Sequence, residues 1–519
     1  MSQFRLLFGN AWRRFSRMDG LARNSDPRTA LVLAAIALGT PGAFLAIFLS
    51  FPIVIGNKLK MIDARPVLND LVLCSGLLVA LAALLEWDAL LPDATDGAVL
   101  GPLPVPPRRL LAAHGAALGA LLAVLTLIVN ASSVAMMPVI DWTGASPLAG
   151  AAHQAAAVLI TATLGFGSVI VLRSLAQSCA GVPGLRRCGE VMQLTGLVAV
   201  ISGLLLLTGL SDPVPGRGLR FYKSPFVLAP WATGIAIAAV VSFLFTARRA
   251  FRQNTNLRRR RQGSRSPARW RRSGPRAAVS RFAALTLTRC RRQRMVVGAW
   301  FALGAGVVMA AGFSLVVRRH GNHAPTFDET VQVFISVPLV LAFFVLAGLR
   351  NSFLIPVELR ANWVFRLCIG GEGDLNASAR RLMGEYLAVL LLLAGTFGLW
   401  YGSATAALAQ VALLAAAGAL WIQALTWNLH KIPFTCSYQP GGTNLNYFRP
   451  IIGLVFTITA FFIAGWAQWL LADPWRLGVA LSAALAALAG SEWHRRRRPT
   501  SDYIFDDDPE PVVQTLLAE

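Results

Sequence analysis

About twelve apolar stretches, each long enough to cross a lipid bilayer, run through this chain in two sets of six on either side of an arginine-rich centre. An α-helix rises about 1.5 Å per residue, so a hydrocarbon core about 30 Å thick asks for roughly 20 apolar residues per crossing. Such stretches lie near 30–52, 70–90, 110–131, 149–172, 191–211 and 226–246 in the first set. The second set falls near 295–317, 331–349, 383–402, 405–427, 450–471 and 475–491. With 55% hydrophobic and 14% charged residues among 519, and a mean hydropathy of +0.57, the chain has too little polar surface for water to be its only solvent. Open sheet edges do not survive in lipid, and Ala/Leu-rich runs of this length fit helices rather than barrel strands. The expectation is an all-α polytopic membrane protein of about 12 transmembrane helices, built as two parallel six-helix repeats. The first 28 residues are polar and basic, and the apolar run after them is too long for a signal h-region, so the start does not read as a cleavable signal peptide.

Orientation follows from Lys and Arg rather than from net charge. The segment Arg248–Arg294 carries seventeen arginines and no acid, and Arg495, Arg496, Arg497 and Arg498 follow the last stretch. An even number of crossings puts both on the side of the N-terminal Arg5, Arg13, Arg14, Arg17 and Arg23, the expected cytoplasmic side. The formal charge of +23 is thereby read as topology and contact with anionic headgroups. It is not read as nucleic-acid binding, since no aromatic-studded basic module or zinc-finger spacing accompanies it. Six cysteines show no CxxC spacing: Cys74 lies within a stretch, while Cys179, Cys188, Cys290, Cys368 and Cys436 fall in or beside loops, and all read as free thiols.

Matching the two sets gives a nearly constant offset of roughly 250 to 270 residues, as two copies of one unit would produce. Since six is even, the copies share one orientation and are related by a pseudo-two-fold axis along the membrane normal. Each copy opens with a short amphipathic segment. In the first, Phe4, Phe8, Trp12 and Phe15 recur at helical spacing opposite the arginines; in the second, Phe282, Leu285 and Leu287 precede Arg289, Arg291, Arg292 and Arg294. The domain reading is therefore 1–250 for the first unit with its interfacial helix, 251–280 for a flexible Arg-rich cytoplasmic linker, 281–498 for the second unit, and 499–519 for an acidic tail.

The loops after the second stretch of each half are the most distinctive. The first runs Glu86, Trp87, Asp88, then Asp93, Asp96, Leu100, Pro102, Leu103, Pro104 and Arg108. Acids at a helix C-terminus oppose its dipole by about 0.3–1 kcal/mol, so Glu86 and Asp88 ask either for a compensating partner or for water and headgroups. The second runs Pro356 to Arg366; as a helix it sets Leu359, Trp363 and Leu367 on one stripe beside Glu358, Asn362 and Arg366, a two-faced element suited equally to a membrane surface or to a groove on another protein.

Energy coupling is constrained next. Ion-driven transporters place ionisable groups deep in the membrane, and the centres of these stretches offer no clear Asp or Glu. A Walker A loop needs GxxxxGK[ST], and none of Lys58, Lys60, Lys223 and Lys431 sits in one. If ATP supplies the work, its site is on another polypeptide. The competing class is a self-contained membrane enzyme acting on a lipid-linked substrate. Its polar site would have to be assembled from scattered helices, because His114, His153, His320, His323, His430 and His494 form no HExxH or similar cluster, and His320 with His323 read as a solvated loop pair.

The run Glu86 to Arg109, acids leaving the second helix and then Leu100, Pro102, Leu103, Pro104 and Arg108 leading into the third, resembles the cytoplasmic loop of ABC exporter permeases of the type 2 class. The stretch Pro356–Arg366 and the segment Lys431, Ile432, Pro433, Phe434, Thr435, Cys436, Ser437, Tyr438, with Pro440 and Gly441, look like the longer bacterial permeases of that kind. The resemblance implies six-helix units, an N-terminal interfacial helix and a loop after the second span that couples to an ATPase. It assigns Glu86, Asp88, Asp93, Asp96, Pro104 and Arg108 to one ATPase contact, and Glu358, Arg360, Asn362, Trp363 and Arg366 to the other. It further implies no catalytic residue, metal or cofactor on this chain, ATP and Mg on an ABC ATPase partner in two copies, and residence in a bacterial cytoplasmic membrane with both termini cytoplasmic. Two units in one chain depart from the usual half-size permease, which leaves open whether a second permease chain joins. Neither cargo nor direction is encoded in the apolar stretches.

Overall fold

The computed structural model describes residues 3–16, 39–40, 42–44, 64–92, 96, 100, 105–140, 147–179, 187–207, 225–252, 275–320, 327–355, 357, 376–401, 404–427, 429, 434, 465–467 and 469–497. The elements are α1 (Gln3–Ser16), α2 (Ala64–Leu85), α3 (Pro107–Ile140), α4 (Pro147–Cys179), α5 (Cys188–Leu207), a 3₁₀ turn (Pro225–Leu228), α6 (Ala229–Arg252), α7 (Pro275–Arg289), α8 (Arg291–His320), α9 (Phe327–Phe353), α10 (Asn376–Tyr401), α11 (Ala404–Thr426) and α12 (Pro474–Arg497). No strand occurs among the described residues. Eight of these helices are long and apolar enough to cross a membrane, α2 adds a shorter apolar helix over Asn69–Leu85, and Gly465–Leu471 with α12 forms a pair bent by 119°. Every apolar stretch read from the sequence overlaps one of them except 30–52, which lies largely outside the described residues, as does most of 450–471. The fold is that of an all-α polytopic membrane protein.

Helix ends differ from the sequence expectation in an instructive way. With 34 and 33 residues, α3 and α4 are each about 50 Å long, well beyond the hydrocarbon core. In contrast α2 stops at Leu85 rather than near 90, and the chain turns at Glu86–Pro92. The apolar residues there do not continue the helix; they fold under its end.

Contacts divide the chain into Met1–Ser264 and Arg265–Glu519. In the first unit α2 packs on α3, α4 and α5, α4 packs also on α6, and α1 lies on α3. The α2–α4 crossing is set by small residues. A Cβ added at Gly76 would lie 2.7 Å from the Thr161 carbonyl oxygen, and one at Gly165 would strike the Gly76 carbonyl, so the backbones meet only because both positions are glycine. The Thr161 hydroxyl donates across this crossing to the Val72 carbonyl at 3.0 Å. On α6, Ala232, Ala239, Phe243 and Ala247 are buried while Trp231, Ile237, Val240, Val241 and Phe245 are exposed, an outward apolar face suited to lipid. On α1 the rings of Phe4, Phe8 and Trp12 stack in a row at 6.5 and 6.3 Å, and Arg109 Nη1 donates to Gln3 Oε1 at 2.8 Å, tying this helix to the first turn of α3.

In the second unit α9 packs on α8, α10 and α11, α10 on α11, α11 on α12, and α7 on α10. Phe343 is at its centre, edge-on to Phe344 at 5.4 Å and to Trp421 at 5.5 Å. Close approach of α8 and α9 again relies on glycine, Gly304 facing Phe344 and Gly348 facing Trp300. On α7 Val279, Ala283, Thr286 and Leu287 are buried, Phe282 is half-buried against the same core, and Leu285 is exposed.

Aromatic residues mark both ends of α12. At its start Arg476 lies over the Trp469 ring at 4.6 Å, Trp466 is 6.3 Å from Trp469, and Asp473 caps the helix by accepting from the Trp475 amide at 3.0 Å. At its end Arg497 lies over Trp493 at 3.7 Å and His494 stacks on Trp427 at 5.7 Å. Residues 475 and 493 are separated by about 27 Å of helix, a length comparable to the thickness of a hydrocarbon core.

Candidate functional site at the end of the second helix

The last four carbonyls of any helix lack an intrahelical donor and must find one elsewhere. At the end of α2 and through the following turn, side chains from three other helices supply them. Gln193 Nε2 of α5 donates to the Leu84 carbonyl at 2.9 Å, Arg173 Nε of α4 to Trp87 O at 3.1 Å, and Gln177 Nε2 of α4 to Pro92 O at 3.2 Å. His114 Nε2 of α3 meets Leu90 O at 3.2 Å; since a carbonyl only accepts, the imidazole carries its proton on that nitrogen. The turn also closes on itself, Ala89 N donating to Glu86 O at 2.9 Å.

Apolar packing completes the clasp. Trp87, Leu90 and Leu91 are fully buried under the helix end. The Arg173 guanidinium stands 5.6 Å above the Trp87 ring and 3.9 Å from Asp88 Oδ1, so one side chain hydrogen-bonds, stacks on and neutralises three features of the same turn. Asp88 is 61% exposed and forms the outward, acidic edge. Of the two alternatives open in the sequence, Asp88 takes the compensating partner, and that partner is Arg173.

The other residues assigned to this contact divide as follows. Glu86 and Asp96 are half-buried, and Arg108 is exposed in the first turn of α3, beside the Arg109 that holds α1. Asp93 and Pro104 lie outside the described residues. The turn is therefore no free arm: its carbonyls are held by α3 and α4, and a force applied at Asp88 is passed to α4 through Arg173. Four buried polar atoms bordering it, Trp87 Nε1, Ser174 Oγ, Gln177 Oε1 and Gln193 Oε1, have no hydrogen-bond partner among the described residues.

The corresponding end of the second unit is also clasped. Gln293 Nε2 of α8 donates to Ile355 O just past α9 at 2.9 Å, and Arg350 Nε of α9 donates to Leu425 O at the end of α11 at 2.7 Å. Phe434 N donates to Phe353 O at 3.0 Å, Val357 N donates to Phe434 O at 3.1 Å, and the buried Phe434 ring sits edge-on to Phe353 at 5.5 Å. Phe434 is held at φ 68°, a left-handed conformation that disfavours a side chain. The two backbone bonds and ring burial offset that strain. Two segments that carried the sequence resemblance thus meet at Val357 and Phe434. Glu358, Arg360, Asn362, Trp363 and Arg366 lie outside the described residues.

Sequence reasoning missed Arg173, Gln177, Gln193, His114, Gln293 and Arg350. Their signal was present: a lone polar residue near the end of an apolar helix has to satisfy itself on a neighbour's backbone. Among the described residues no group of three or more His, Cys, Asp or Glu side chains is placed to hold a metal ion. Comparison with family models, with characterised proteins and with solved structures finds no match. The architecture defines the class, a multi-pass α-helical membrane protein.

Proposed function

We propose that this chain is the permease subunit of an ATP-driven ABC exporter, moving its cargo across a bacterial cytoplasmic membrane with ATP hydrolysed on a separate subunit. The observation that carries the reading is the clasped turn Glu86–Pro92, which presents an acidic edge at Asp88 while its apolar residues are buried and its carbonyls are held by α3 and α4. A lever needs both properties, an outer face for a partner and an inner face bonded to the helices it moves. The second unit supports the same reading with the Val357–Phe434 junction and the Arg350 and Gln293 bonds at the equivalent helix ends. In both units a short arginine-bearing helix, α1 or α7, packs on the long helix after that turn, α3 or α10, as two copies of one plan would have it.

In this account the arginine-rich ends face the cytoplasm, where the partner ATPases approach the turns. Nucleotide favours one conformation of the ATPase pair over the other, and that difference in affinity drives the helices between states. Affinity purification of the tagged protein from native membranes in mild detergent, with mass spectrometry of co-purifying chains, tests the reading. A stoichiometric Walker-motif ATPase is expected; its reproducible absence from a preparation that keeps other membrane complexes intact overturns the proposal.

A further inference from the structure

The loop between α4 and α5 brings two cysteines together at the clasp. Cys179 is the last residue of α4 and Cys188 the first of α5; both are free thiols and half-exposed. The two helix ends are in contact here, since a Cβ added at Gly189 would lie 3.6 Å from the Ala176 side chain. The Cys188 and Cys179 side chains are close enough to interact, and Cys188 Sγ lies 3.6 Å from Met192 Sδ. Cys74 is buried, and Cys290 belongs to the second unit, between α7 and α8.

Position gives the pair a consequence. Gln177, which holds Pro92 O, precedes Cys179 by two residues, and Gln193, which holds Leu84 O, follows Cys188 by five. A covalent bond between the sulfurs would fasten together the two helix ends that grip the turn after α2. We propose that Cys179 and Cys188 form a redox-active dithiol whose oxidation to a disulfide locks α4 to α5 at this clasp.

The chemistry is thiol–disulfide exchange with a low-molecular-weight disulfide such as oxidised glutathione. One cysteine thiolate attacks the small disulfide and releases one glutathione thiol. The second thiolate attacks the protein sulfur of the mixed disulfide, forms the Cys179–Cys188 bond and releases a second glutathione thiol. Two electrons pass to the small disulfide, and the protons of both cysteines end on the released thiols.

The test uses the full-length protein in membranes, exposed to oxidised glutathione, alkylated, digested and mapped without reduction. A linked peptide joining 179 to 188 is expected, while Cys290 stops at a mixed disulfide and Cys74 stays reduced. In C179S the thiol of Cys188, and in C188S that of Cys179, stops at the mixed disulfide. Hydrogen exchange at the Glu86 and Ala89 amides slows several-fold in the linked form. Mixed disulfides at both sites without a link, persistent alkylation of both thiols, or linkage to Cys368 or Cys436 instead overturns the dithiol. A link that leaves exchange at Glu86 and Ala89 unchanged overturns the lock.

Discussion

Replacing Arg173 with alanine removes three contacts with one turn while leaving the apolar plug beneath it in place. The Nε bond to Trp87 O, at 3.1 Å, is charge-assisted and part-buried, a class of bond that contributes about 1.5–3 kcal/mol. The guanidinium over the Trp87 ring adds about 0.5–1 kcal/mol. The ion pair to Asp88 is discounted to a few tenths of a kcal/mol, because its carboxylate is 61% exposed and the separation is 3.9 Å. Gln177, Gln193 and His114 still hold neighbouring carbonyls, so local opening of Glu86–Pro92 should become easier by about 2–3 kcal/mol. At about 1.4 kcal/mol per factor of ten, that is roughly a 30- to 150-fold loss of protection. Hydrogen-exchange mass spectrometry in nanodiscs reads it at Glu86 N, bonded to Ala82 O, and Ala89 N, bonded to Glu86 O, with the middle of α2 as the internal control. Arg173→Lys keeps the charge but loses the planar donor, and should behave nearer to alanine than to the parent. Protection at Glu86 and Ala89 that stays within about threefold of the parent in Arg173→Ala would refute the clasp.

Four further outcomes are expected. Gly76→Ala puts a methyl 2.7 Å from the Thr161 carbonyl oxygen and should destabilise the first unit by about 1–3 kcal/mol, seen as a lowered melting temperature in detergent; an unchanged melt would mean the α2–α4 crossing is looser than described. Thr161→Val loses the hydroxyl that reaches Val72 O and should cost about 1 kcal/mol in the same assay. Phe434→Ala and Phe434→Gly both lose a buried ring, but glycine also relieves the left-handed strain at φ 68°, so the glycine variant should be the more stable by about 1 kcal/mol, the reverse of the usual order. Nitroxides at positions 475 and 493 should both lie at headgroup depth and one at Leu485 in the hydrocarbon, measured by accessibility to polar and apolar relaxation agents; equal exposure to the polar agent at all three would refute α12 as a crossing helix.

Much of the fold was legible because a bilayer imposes a single strong rule, that a crossing helix be apolar for its whole length. The runs that became α3, α4, α10 and α11 could hardly be read otherwise. Helix ends were less legible. Leu90 and Leu91 look like a continuation of α2, yet they are buried in a turn, whose carbonyls are met by Arg173, Gln177 and His114 and that of Leu84 by Gln193, from residues 24 to 109 positions away in the chain. No local pattern encodes such partners. In the candidate site the acids at Glu86 and Asp88 signalled an unmet electrostatic need, and Arg173 stood out as a lone charge near the end of an apolar helix, but their pairing appears only once the helices are assembled.

The central claim is that the turn after α2 is where an ATPase takes hold. The most direct measurement places a photo-crosslinking amino acid at Asp88, illuminates intact membranes and identifies the captured chain, with the same probe on the outward face of α6 at Val240 as the control. Capture of a nucleotide-binding subunit is expected from position 88, diminished by Arg173→Ala, and none from position 240. Capture of lipid alone at position 88 from a transport-active preparation, or equal capture of the ATPase from both positions, would contradict it.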